Sequence, residues 1–539
     1  MLKSKYILFF IFFSISVILS ALATGCAKRG TVTGGGKDTI PPVIVSSSPK
    51  NFSTDFKGDF IKINFNEYIK IKDINKQLII SPPMKNAPVI VPMGNASKFI
   101  TIKILDTLQS NTTYSFNFGQ SITDNNEGNP YSQFKYVFST GSYIDSLKLG
   151  GTIKDAYSKK PDHFVSVMLY DAVTYTDSTV YKKQPLYVTN TLDSLKAYVL
   201  ENMKPGKYRL IALKDENNNY KFDPKDDKIG FLKQEITLPT DTLYQVELFK
   251  EKPVFKAYKP SQASADKLVM GYEGNPKNTK VTVRNGNQII DSRLTRFPGK
   301  DSLNIWIPKL KADSLQISVT NDNYSKTFTS RIKEMKTRDT LAINTKQKGI
   351  LHFRETFALT TTLPISKIDP SKIAITKKDS TKVDFTTEYK EMDQEITIDF
   401  KKEENQKYDI RLFPGALKDF YDKENDSLQF SISTKNLTDY GNFRLNLQNV
   451  NRFPIIVELL DSKENVLASA YSEKETVLNF ESLEPNKYTL RIIYDDNKDR
   501  EWTTGSFLEK RQAEEVVHFP VVLGVNANWD VDETFTLTK

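Results

Sequence analysis

The sequence of 539 residues predicts an all-β protein, built as a tandem series of β-sandwich domains. Short segments alternate apolar and polar residues, which is the period of a half-buried strand; Ile61, Ile63 and Phe65 are one example. Turn-forming clusters of Asn, Asp, Gly and Pro separate these segments. No segment of helical period is long enough to indicate an amphipathic helix, which favours sandwiches. The length indicates roughly three to five domains.

Composition and charge restrict the classes of function. Hydrophobic residues make up 39% of the chain and aromatic residues 11%, which exceeds what a disordered chain carries. The 75 Lys and Arg residues outnumber the 66 Asp and Glu residues, and loss of Lys3 and Lys5 with a signal peptide leaves 75 − 2 − 66 = +7. Because this excess is spread along the chain, we expect no nucleic-acid partner.

The N-terminus has the layout of a secretory signal peptide, predicted for residues 1–25. Lys3 and Lys5 form a basic start, an almost wholly apolar run extends from Tyr6 to Leu22, and small residues lead into Cys26. An uncleaved membrane anchor is the alternative, since the run is close to the minimum length of a spanning helix. Cys26 is the single cysteine of the chain, so disulfides and thiolate metal sites are not expected.

The box Ala23-Thr24-Gly25 before Cys26 resembles a bacterial lipoprotein signal. The resemblance implies that Cys26 becomes a lipid-bearing N-terminus that anchors the chain in the outer membrane of a Bacteroidota cell without spanning it. Residues 26–40 are Gly-rich and polar, which predicts a flexible tether. Surface-exported lipoproteins of that phylum often carry acidic residues after the cysteine. Lys28 and Arg29 occupy these positions instead, so the sequence does not decide on which face of the outer membrane the protein lies.

Residues 41–143 resemble the bacterial Ig-like family named after the S-layer protein SbsA. The resemblance rests on the Asp38-to-Pro42 start, the strand Ile61 to Glu67, Thr113 to Phe116 and the closing segment Tyr136 to Gly141. Residues 147–250, with the turn and strand from Met203 to Leu210, resemble transthyretin-like or carboxypeptidase-regulatory-like sandwiches. Residues 251–346 have strand-like alternation and form a predicted β domain of unknown type.

The chain then repeats itself. Asn405 to Leu412 echoes Asn111 to Phe118 at an offset of 294, so a diverged Ig-like sandwich is predicted for residues 347–436. Leu483 to Leu490 echoes Met203 to Leu210 at an offset of 280, so a diverged transthyretin-like sandwich is predicted for residues 437–539. Duplication of a two-domain unit is the simplest explanation.

One loop has the ligand spacing of a calcium site. Oxygen-bearing side chains stand at positions 1, 3, 5, 9 and 12, as in EF-hand loops: Asp215, Asn217, Asn219, Asp223 and Asp226. Tyr220 occupies the position that usually holds glycine, and Asp226 is shorter than the usual glutamate. The alternative is a hairpin loop in which Asx side chains bind their own backbone. The calcium ion would be structural, and the equivalent loop from Asp495 is a weaker match.

No enzyme motif is present, which predicts a non-catalytic protein. His163, His352 and His518 lie far apart in the sequence, without zinc-ligand spacing or a partner for a triad. A distant pair of carboxylates acting as a glycosidase is the catalytic alternative. Trp306, Trp502 and Trp529 are candidates for stacking on sugars, but core or inter-domain packing is the preferred interpretation, with Trp529 inside.

A tripeptide of Asp, Ser or Thr, and a small or apolar residue occurs eleven times. It matches the O-glycosylation acceptor of Bacteroidota, although it is also favourable chemistry for a turn that enters a strand. The candidate acceptors are Thr39, Thr107, Ser146, Ser178, Ser194, Thr242, Ser302, Ser314, Thr340, Ser380 and Ser427.

Together these features predict a lipid-anchored outer-membrane protein that acts as a structural, protein-binding scaffold in the cell envelope. Its expected partners are the membrane and other envelope proteins, and an accessory subunit of outer-membrane protein assembly or export machinery is one candidate role. A surface glycan-binding module or adhesin is the alternative. An exposed row of aromatic residues on one sheet face would favour that alternative.

Overall fold

A computed structural model describes residues 38–191 and 196–537 and confirms the all-β fold of tandem β-sandwiches. The predicted signal peptide, Cys26, most of the tether and Ser194 lie outside the described residues. Within them the helical segments are α1 (Ile74–Gln77), α2 (Thr179–Lys182) and three 3₁₀ turns. The described residues divide into two compact units, one with residues 38–79 and 84–144 and the other with residues 80–83, 145–191 and 196–537.

Sandwich 1 covers residues 38–144 and has eight strands. They are β1 (Ile44–Ser48), β2 (Phe60–Ile71), β3 (Ile79–Ser81), β4 (Val89–Val91), β5 (Ser97–Lys103), β6 (Thr113–Asn117), β7 (Ile122–Asp124) and β8 (Lys135–Ser139). One sheet has the order β1-β2-β5-β4, with β7 also paired to β2, and the other has the order β3-β6-β8. The alternation seen in the sequence places Ile61, Ile63 and Phe65 in the core.

Sandwich 2 covers residues 145–250. Its strands are β9 (Leu147–Asp155), β10 (Ser166–Asp171), β11 (Tyr187–Asn190), β12 (Ala197–Met203), β13 (Gly206–Lys214), β14 (Lys228–Phe231), β15 (Ile236–Leu238) and β16 (Tyr244–Leu248). The sheets have the orders β11-β10-β13-β14, with β15 on β13, and β12-β9-β16, in which β16 runs parallel to β9. Side chains of both sheets form one core.

Sandwich 3 follows, with strands from residue 256 to residue 331. They are β17 (Lys256–Ala257), β18 (Ser261–Ser264), β19 (Lys267–Glu273), β20 (Lys280–Asn285), β21 (Gln288–Ile290), β22 (Arg293–Arg296), β23 (Ser302–Trp306), β24 (Ser314–Asn321) and β25 (Tyr324–Arg331). The sheets have the orders β17-β19-β23-β22, with β18 on β19, and β21-β20-β24-β25.

Sandwich 4 has strands from residue 343 to residue 433. They are β26 (Ile343–Thr345), β27 (Phe357–Thr361), β28 (Ile365–Ile368), β29 (Ile373–Lys377), β30 (Phe385–Lys390), β31 (Glu395–Phe400), β32 (Lys407–Leu412), β33 (Leu417–Asp419) and β34 (Leu428–Ser433). The orders are β26-β27-β31-β30, β28-β33 and β29-β32-β34. Because β26 pairs with β27, the strand at 343–345 belongs to this sandwich, just before the predicted boundary at residue 347.

Sandwich 5 completes the chain. Its strands are β35 (Gly441–Gln448), β36 (Ile455–Leu460), β37 (Val466–Ser472), β38 (Val477–Leu483), β39 (Asn486–Tyr494), β40 (Val516–His518), β41 (Leu523–Val525) and β42 (Asp530–Thr536). The orders are β37-β36-β39-β40, with β41 on β39, and β38-β35-β42, in which β42 runs parallel to β35. This is the strand order of sandwich 2, element by element, and it supports the predicted duplication.

A buried tyrosine shows that sandwiches 1 and 4 also share local structure. The hydroxyl of Tyr114 accepts the backbone N–H of Gln109 at 2.9 Å, and the hydroxyl of Tyr408 accepts that of Glu403 at 2.7 Å. The offset of 294 relates both residues of each pair. A tyrosine that holds the corner before its own strand is a recurrent device of Ig-like sandwiches.

Candidate functional site

The predicted calcium loop connects β13 to β14 in sandwich 2, and its first carboxylate is buried. Asp215 follows the apolar end of β13 and is 6% exposed. Its Oδ2 accepts the backbone N–H of Tyr220 at 2.7 Å, which folds the loop back on itself. Its Oδ1 is buried and has no hydrogen-bond partner among the described residues. One oxygen of Asp215 therefore shapes the loop, and the other is unused.

A second buried carboxylate, Asp227, closes the loop. Its Oδ1 accepts the N–H of Glu216 at 3.0 Å and its Oδ2 accepts the N–H of Asp223 at 2.8 Å. Burial raises the pKa of Asp227, and the negative charges of Asp215 and Asp223 raise it further. The ligand spacing of the sequence points instead to the adjacent Asp226, which is exposed. The only available signal for Asp227 was its place directly before the apolar strand β14.

The remaining candidate ligands lie on the exposed part of the loop. Asn219 Oδ1 accepts the N–H of Lys221 at 2.7 Å, and Asp223 Oδ1 accepts the N–H of Lys225 at 3.0 Å, while Asn217 is exposed. Tyr220 has φ 55°, so the sharp turn that glycine usually makes is present without glycine. Across residues 38–191 and 196–537, no three His, Cys, Asp or Glu side chains are grouped to hold a metal ion. The calcium site stays a prediction that depends on Asn and carbonyl ligands.

In the equivalent loop of sandwich 5, every oxygen of the two buried carboxylates accepts a hydrogen bond. Asp495 is fully buried, its Oδ1 accepts the N–H of Asp499 at 3.1 Å, and its Oδ2 accepts the N–H of Arg500 at 3.0 Å. Glu514 takes the place of Asp227 and accepts the N–H groups of Asn497 and Thr503. The two loops share one backbone design and differ in whether the first carboxylate has a free oxygen.

Sandwiches 2 and 5 pack against each other through a buried cation. The Arg491 side chain on β39 is 1% exposed, and its Nε lies 2.6 Å from Glu458 Oε2. Its guanidinium carbon lies 3.7 Å from the ring centroid of Tyr157, a residue of sandwich 2 that also hydrogen-bonds to it. The Tyr157 ring contacts Trp502 with centroids 4.4 Å apart. The contact between Arg491 and Tyr157 joins residues 334 positions apart in the chain.

A loop of sandwich 5, residues 502–514 and called here the docking arm, extends this interface. Phe507 is 1% exposed and packs edge-on against Phe231 of sandwich 2, with centroids 5.5 Å apart. The Thr504 hydroxyl donates a hydrogen bond to the backbone carbonyl of Lys250, with 2.6 Å between the two oxygens. A Cβ on Gly505 would lie 2.5 Å from the Phe249 ring, so this approach requires glycine. The docking arm therefore packs against sandwich 2 and holds together two sandwiches that are distant in sequence.

The histidines lie in different surroundings. His163 is exposed. The Nδ1 atom of His352 lies 3.0 Å from the Tyr440 hydroxyl, and its Nε2 atom lies 3.4 Å from the Glu484 carboxylate. His518 is partly buried at the interface of sandwiches 2 and 5. Burial and the nearby charge of Arg491 lower the pKa of His518 to about 4. The three residues are not brought together into one site.

The tryptophans divide into two packing residues and one exposed residue. Trp306 is 1% exposed and donates its indole N–H to Thr295 at 2.9 Å; its ring is covered by the Lys267 ammonium, 4.7 Å from the centroid. Trp502 packs between sandwiches, as described above. The prediction that Trp529 packs inside is wrong, since this side chain is 58% exposed. It precedes β42 in a turn, where the alternation of the strand has not yet begun.

The candidate glycosylation acceptors lie almost entirely at the surface. Among those described, Ser302 is half-buried and the others are exposed. Ser302 and Ser314 are also the first residues of their strands, so the turn-to-strand interpretation of the tripeptide holds at those positions. Both interpretations stay open. In the described part of the chain, no helix has the length and apolarity needed to cross a bilayer.

Comparison with known sequences identifies one domain. Residues 38–140 match the family described as bacterial Ig-like domain, which confirms the Ig-like domain predicted at the N-terminal end. No curated protein matches the chain.

Several solved structures show some similarity to this chain. Surface layer protein SbsC, domains 1–6, aligns with 85% of this chain at 10% identity and a TM-score of 0.15, and this chain covers 66% of that structure, just under two thirds. BcpA, the major pilin subunit of Bacillus cereus, aligns with 73% of this chain and 99% of its own at 10% identity and a TM-score of 0.14. The Bacillus anthracis TIE protein aligns with 93% of this chain and 75% of its own at 11% identity and a TM-score of 0.13. At such scores these similarities carry no functional argument.

Proposed function

We propose that this protein is a non-catalytic scaffold of the bacterial cell envelope, anchored by a lipid on Cys26 in the outer membrane of a Bacteroidota cell. The observation that carries the proposal is the docking of sandwich 5 onto sandwich 2 through Arg491 and the docking arm. A chain that packs on itself across 334 positions holds sandwiches 2 and 5 in fixed relative positions. Fixed surfaces suit a protein that positions other proteins.

Contacts between neighbouring sandwiches of the same unit support this rigidity. The Tyr421 hydroxyl of sandwich 4 donates to the carbonyl of Asp266 in sandwich 3 at 3.0 Å. Between sandwiches 4 and 5, Arg354 donates to the carbonyl of Glu481 at 3.1 Å. Each contact alone is small, but together they connect all four sandwiches from residue 145 onward.

The membrane anchor follows from the sequence of the N-terminus. The small-residue box before Cys26 resembles a lipoprotein signal, and the Gly-rich tether would separate the lipid from the first sandwich. Exposed Asp-Ser and Asp-Thr acceptors are consistent with export, because O-glycosylation of that type modifies exported chains. The face of the membrane and the identity of the partner proteins are open parts of the proposal, and an accessory role in protein assembly or export machinery is one candidate.

A pull-down from native outer membranes in mild detergent, analysed by mass spectrometry, tests the scaffold role. We expect a stoichiometric set of envelope proteins with the native chain. Phe507→Ala is expected to reduce that set by loosening the docking arm, whereas the matched Leu508→Ala, at a residue 63% exposed, should leave it unchanged. Recovery of the native chain alone would contradict the scaffold role.

The anchor has its own test. The native chain should incorporate radiolabelled palmitate and fractionate with outer membranes, and Cys26→Ser should do neither. Membrane retention of the serine variant would instead support the uncleaved helical anchor.

The glycan-binding alternative gains no support from the tryptophans. Trp306 and Trp502 are engaged in packing, so the three residues form no exposed aromatic row. If the native chain is recovered without partners, binding to a glycan array becomes the next measurement.

A further inference from the structure

The Asp215 carboxylate has a buried oxygen with no partner among the described residues. Its Oδ2 accepts the N–H of Tyr220, so the carboxylate that carries the buried Oδ1 is fixed by a hydrogen bond within the loop. A buried carboxylate oxygen that has lost its water and gained no hydrogen bond is energetically unfavourable. Such an oxygen indicates a ligand that the polypeptide itself does not provide.

The homologous loop of sandwich 5 provides an internal comparison. Asp495 stands at the same position, but both of its oxygens accept backbone N–H groups, at 3.1 Å and 3.0 Å. The free oxygen is therefore specific to sandwich 2 and is not a general consequence of the loop fold. An oxygen that accepts no hydrogen bond from the protein, such as Asp215 Oδ1, is available to bind a ligand.

Charge around the loop favours a cation. Residues 215–227 contain five acidic and two basic side chains, a net charge of 2 − 5 = −3. Within the described residues neither Asp215 nor Asp227 forms an ion pair with Lys or Arg. The nearby charge of Asp227 acts on Lys250, whose pKa is lowered by burial.

We propose that the loop of residues 215–227 binds one calcium ion, with Asp215 Oδ1 as the buried ligand. The side-chain oxygens of Asn217, Asn219 and Asp223 stand at the spacing that wraps a chain around a hard cation, and backbone carbonyls and water supply the remaining positions. Calcium accepts six to eight oxygens in flexible geometry, which suits a set dominated by amides. The proposal is independent of the scaffold role.

Calcium would also act on the interface between sandwiches 2 and 5. Phe222, in the middle of the loop, is 4% exposed and its ring lies 6.4 Å from that of Phe507 in the docking arm. Ordering the loop therefore fixes one wall of the pocket that receives the arm. In this arrangement calcium tightens the docking of two sandwiches without contacting sandwich 5.

Titration calorimetry of the full chain with CaCl₂, after removal of metal with EDTA, tests the site. We expect one equivalent of calcium, with a dissociation constant of roughly 10⁻⁵ to 10⁻³ M, the range from sensors to extracellular modules. Asp215→Asn should weaken binding at least tenfold, whereas the matched Asp495→Asn should leave it unchanged. Circular dichroism verifies that each variant is folded.

Asn217→Ala provides a second variant in case Asp215→Asn does not fold. Its side chain is exposed, so it should fold normally and bind calcium several-fold more weakly. Three results would overturn the proposal: no calcium binding by the folded native chain, equal loss in the Asp215 and Asp495 variants, or undiminished binding by both folded Asp215→Asn and Asn217→Ala.

Discussion

Arg491 is the residue on which the interface of sandwiches 2 and 5 depends most. Its cation is buried against Glu458 and the ring of Tyr157, and the side chain of Glu458 is itself only 13% exposed. Arg491→Met leaves the Glu458 carboxylate buried without its partner, so we expect a loss of about 3–5 kcal/mol in the free energy of unfolding. Urea unfolding followed by tryptophan fluorescence measures this, since Trp502 lies in the same interface.

The double variant Arg491→Met with Glu458→Leu should recover most of that loss, because it removes both charges together. Arg444→Met is the matched control. Arg444 is 57% exposed and lies 3.9 Å from Asp532, so its loss should cost less than about 1 kcal/mol. A cost for Arg491→Met as small as that of the control would show that the buried pair contributes no stability.

His518 makes the stability of the same interface depend on pH. Its folded pKa of about 4 lies below the unfolded value of about 6.5, so the unfolded chain binds the proton first as pH falls. Arg491, Lys154 and Lys159 disfavour the imidazolium and Glu464 favours it. Stability present above pH 6.5 should therefore be lost towards pH 4, and we expect this histidine to contribute roughly 2 kcal/mol of that loss between pH 7.5 and 5.

His518→Gln should remove that component from the pH dependence of unfolding, whereas the exposed His163→Gln should retain it. Equilibrium unfolding at pH 7.5 and pH 5 for the three chains measures the difference. Equal pH dependence in all three would mean that His518 titrates normally in the folded state.

At the level of strands, the corner tyrosines of sandwiches 1 and 4 should contribute equally. Tyr114→Phe and Tyr408→Phe each leave a backbone N–H without its acceptor, at hydroxyl distances of 2.9 Å and 2.7 Å. We expect a loss of about 1–2 kcal/mol in either sandwich. Tyr68→Phe, at a residue 56% exposed, should change stability by less than about 0.5 kcal/mol.

Calorimetry separates the two effects, because Tyr114 and Tyr408 belong to different compact units. Tyr114→Phe should shift only the transition of the unit that contains sandwich 1. A cost in one sandwich without the other would indicate that the two corners, although repeated in sequence, no longer have the same role.

The strands also show how far the sequence determines the fold. Alternation in β2 is a local property, and it correctly placed Ile61 and Ile63 in the core. In β39 the segment Leu490 to Tyr494 is apolar except for Arg491, and both of its faces are buried, since Arg491 and Ile493 face sandwich 2 while Ile492 faces its own core. Such runs signal a sheet covered on both sides. That pattern is present in the sequence, but no local feature of β39 indicates that sandwich 2 is the element that covers it.

For the whole molecule, the unpredictable part is the docking of distant sandwiches. The contact of Arg491 with Tyr157 joins residues 334 positions apart, and neither residue belongs to a motif. The same limit applies to the candidate calcium loop. The sequence spacing places Asp215 at the first position of the candidate loop. Whether its second oxygen has a hydrogen-bond partner depends on tertiary geometry, which differs between Asp215 and Asp495.

Phe507 provides the test of docking at this scale. Its ring is enclosed by three rings of sandwich 2, those of Phe231, Phe222 and Tyr181. Phe507→Ala removes a fully buried aromatic side chain, a change that costs about 3–5 kcal/mol in a well-packed site. We expect amides of the docking arm to exchange hydrogen at least tenfold faster, with sandwich 1 unchanged, in hydrogen-exchange mass spectrometry of the full chain.

Leu508→Ala is the matched control for that experiment, because this neighbouring side chain is 63% exposed and its loss should leave exchange unaltered. If both variants exchange like the native chain, the arm does not contribute to docking. If Phe507→Ala instead exposes every sandwich from residue 145 onward, the interface stabilises the whole unit rather than one pair. Because the rings that pack against Phe507 belong to sandwich 2, we expect the faster exchange to stay within sandwiches 2 and 5.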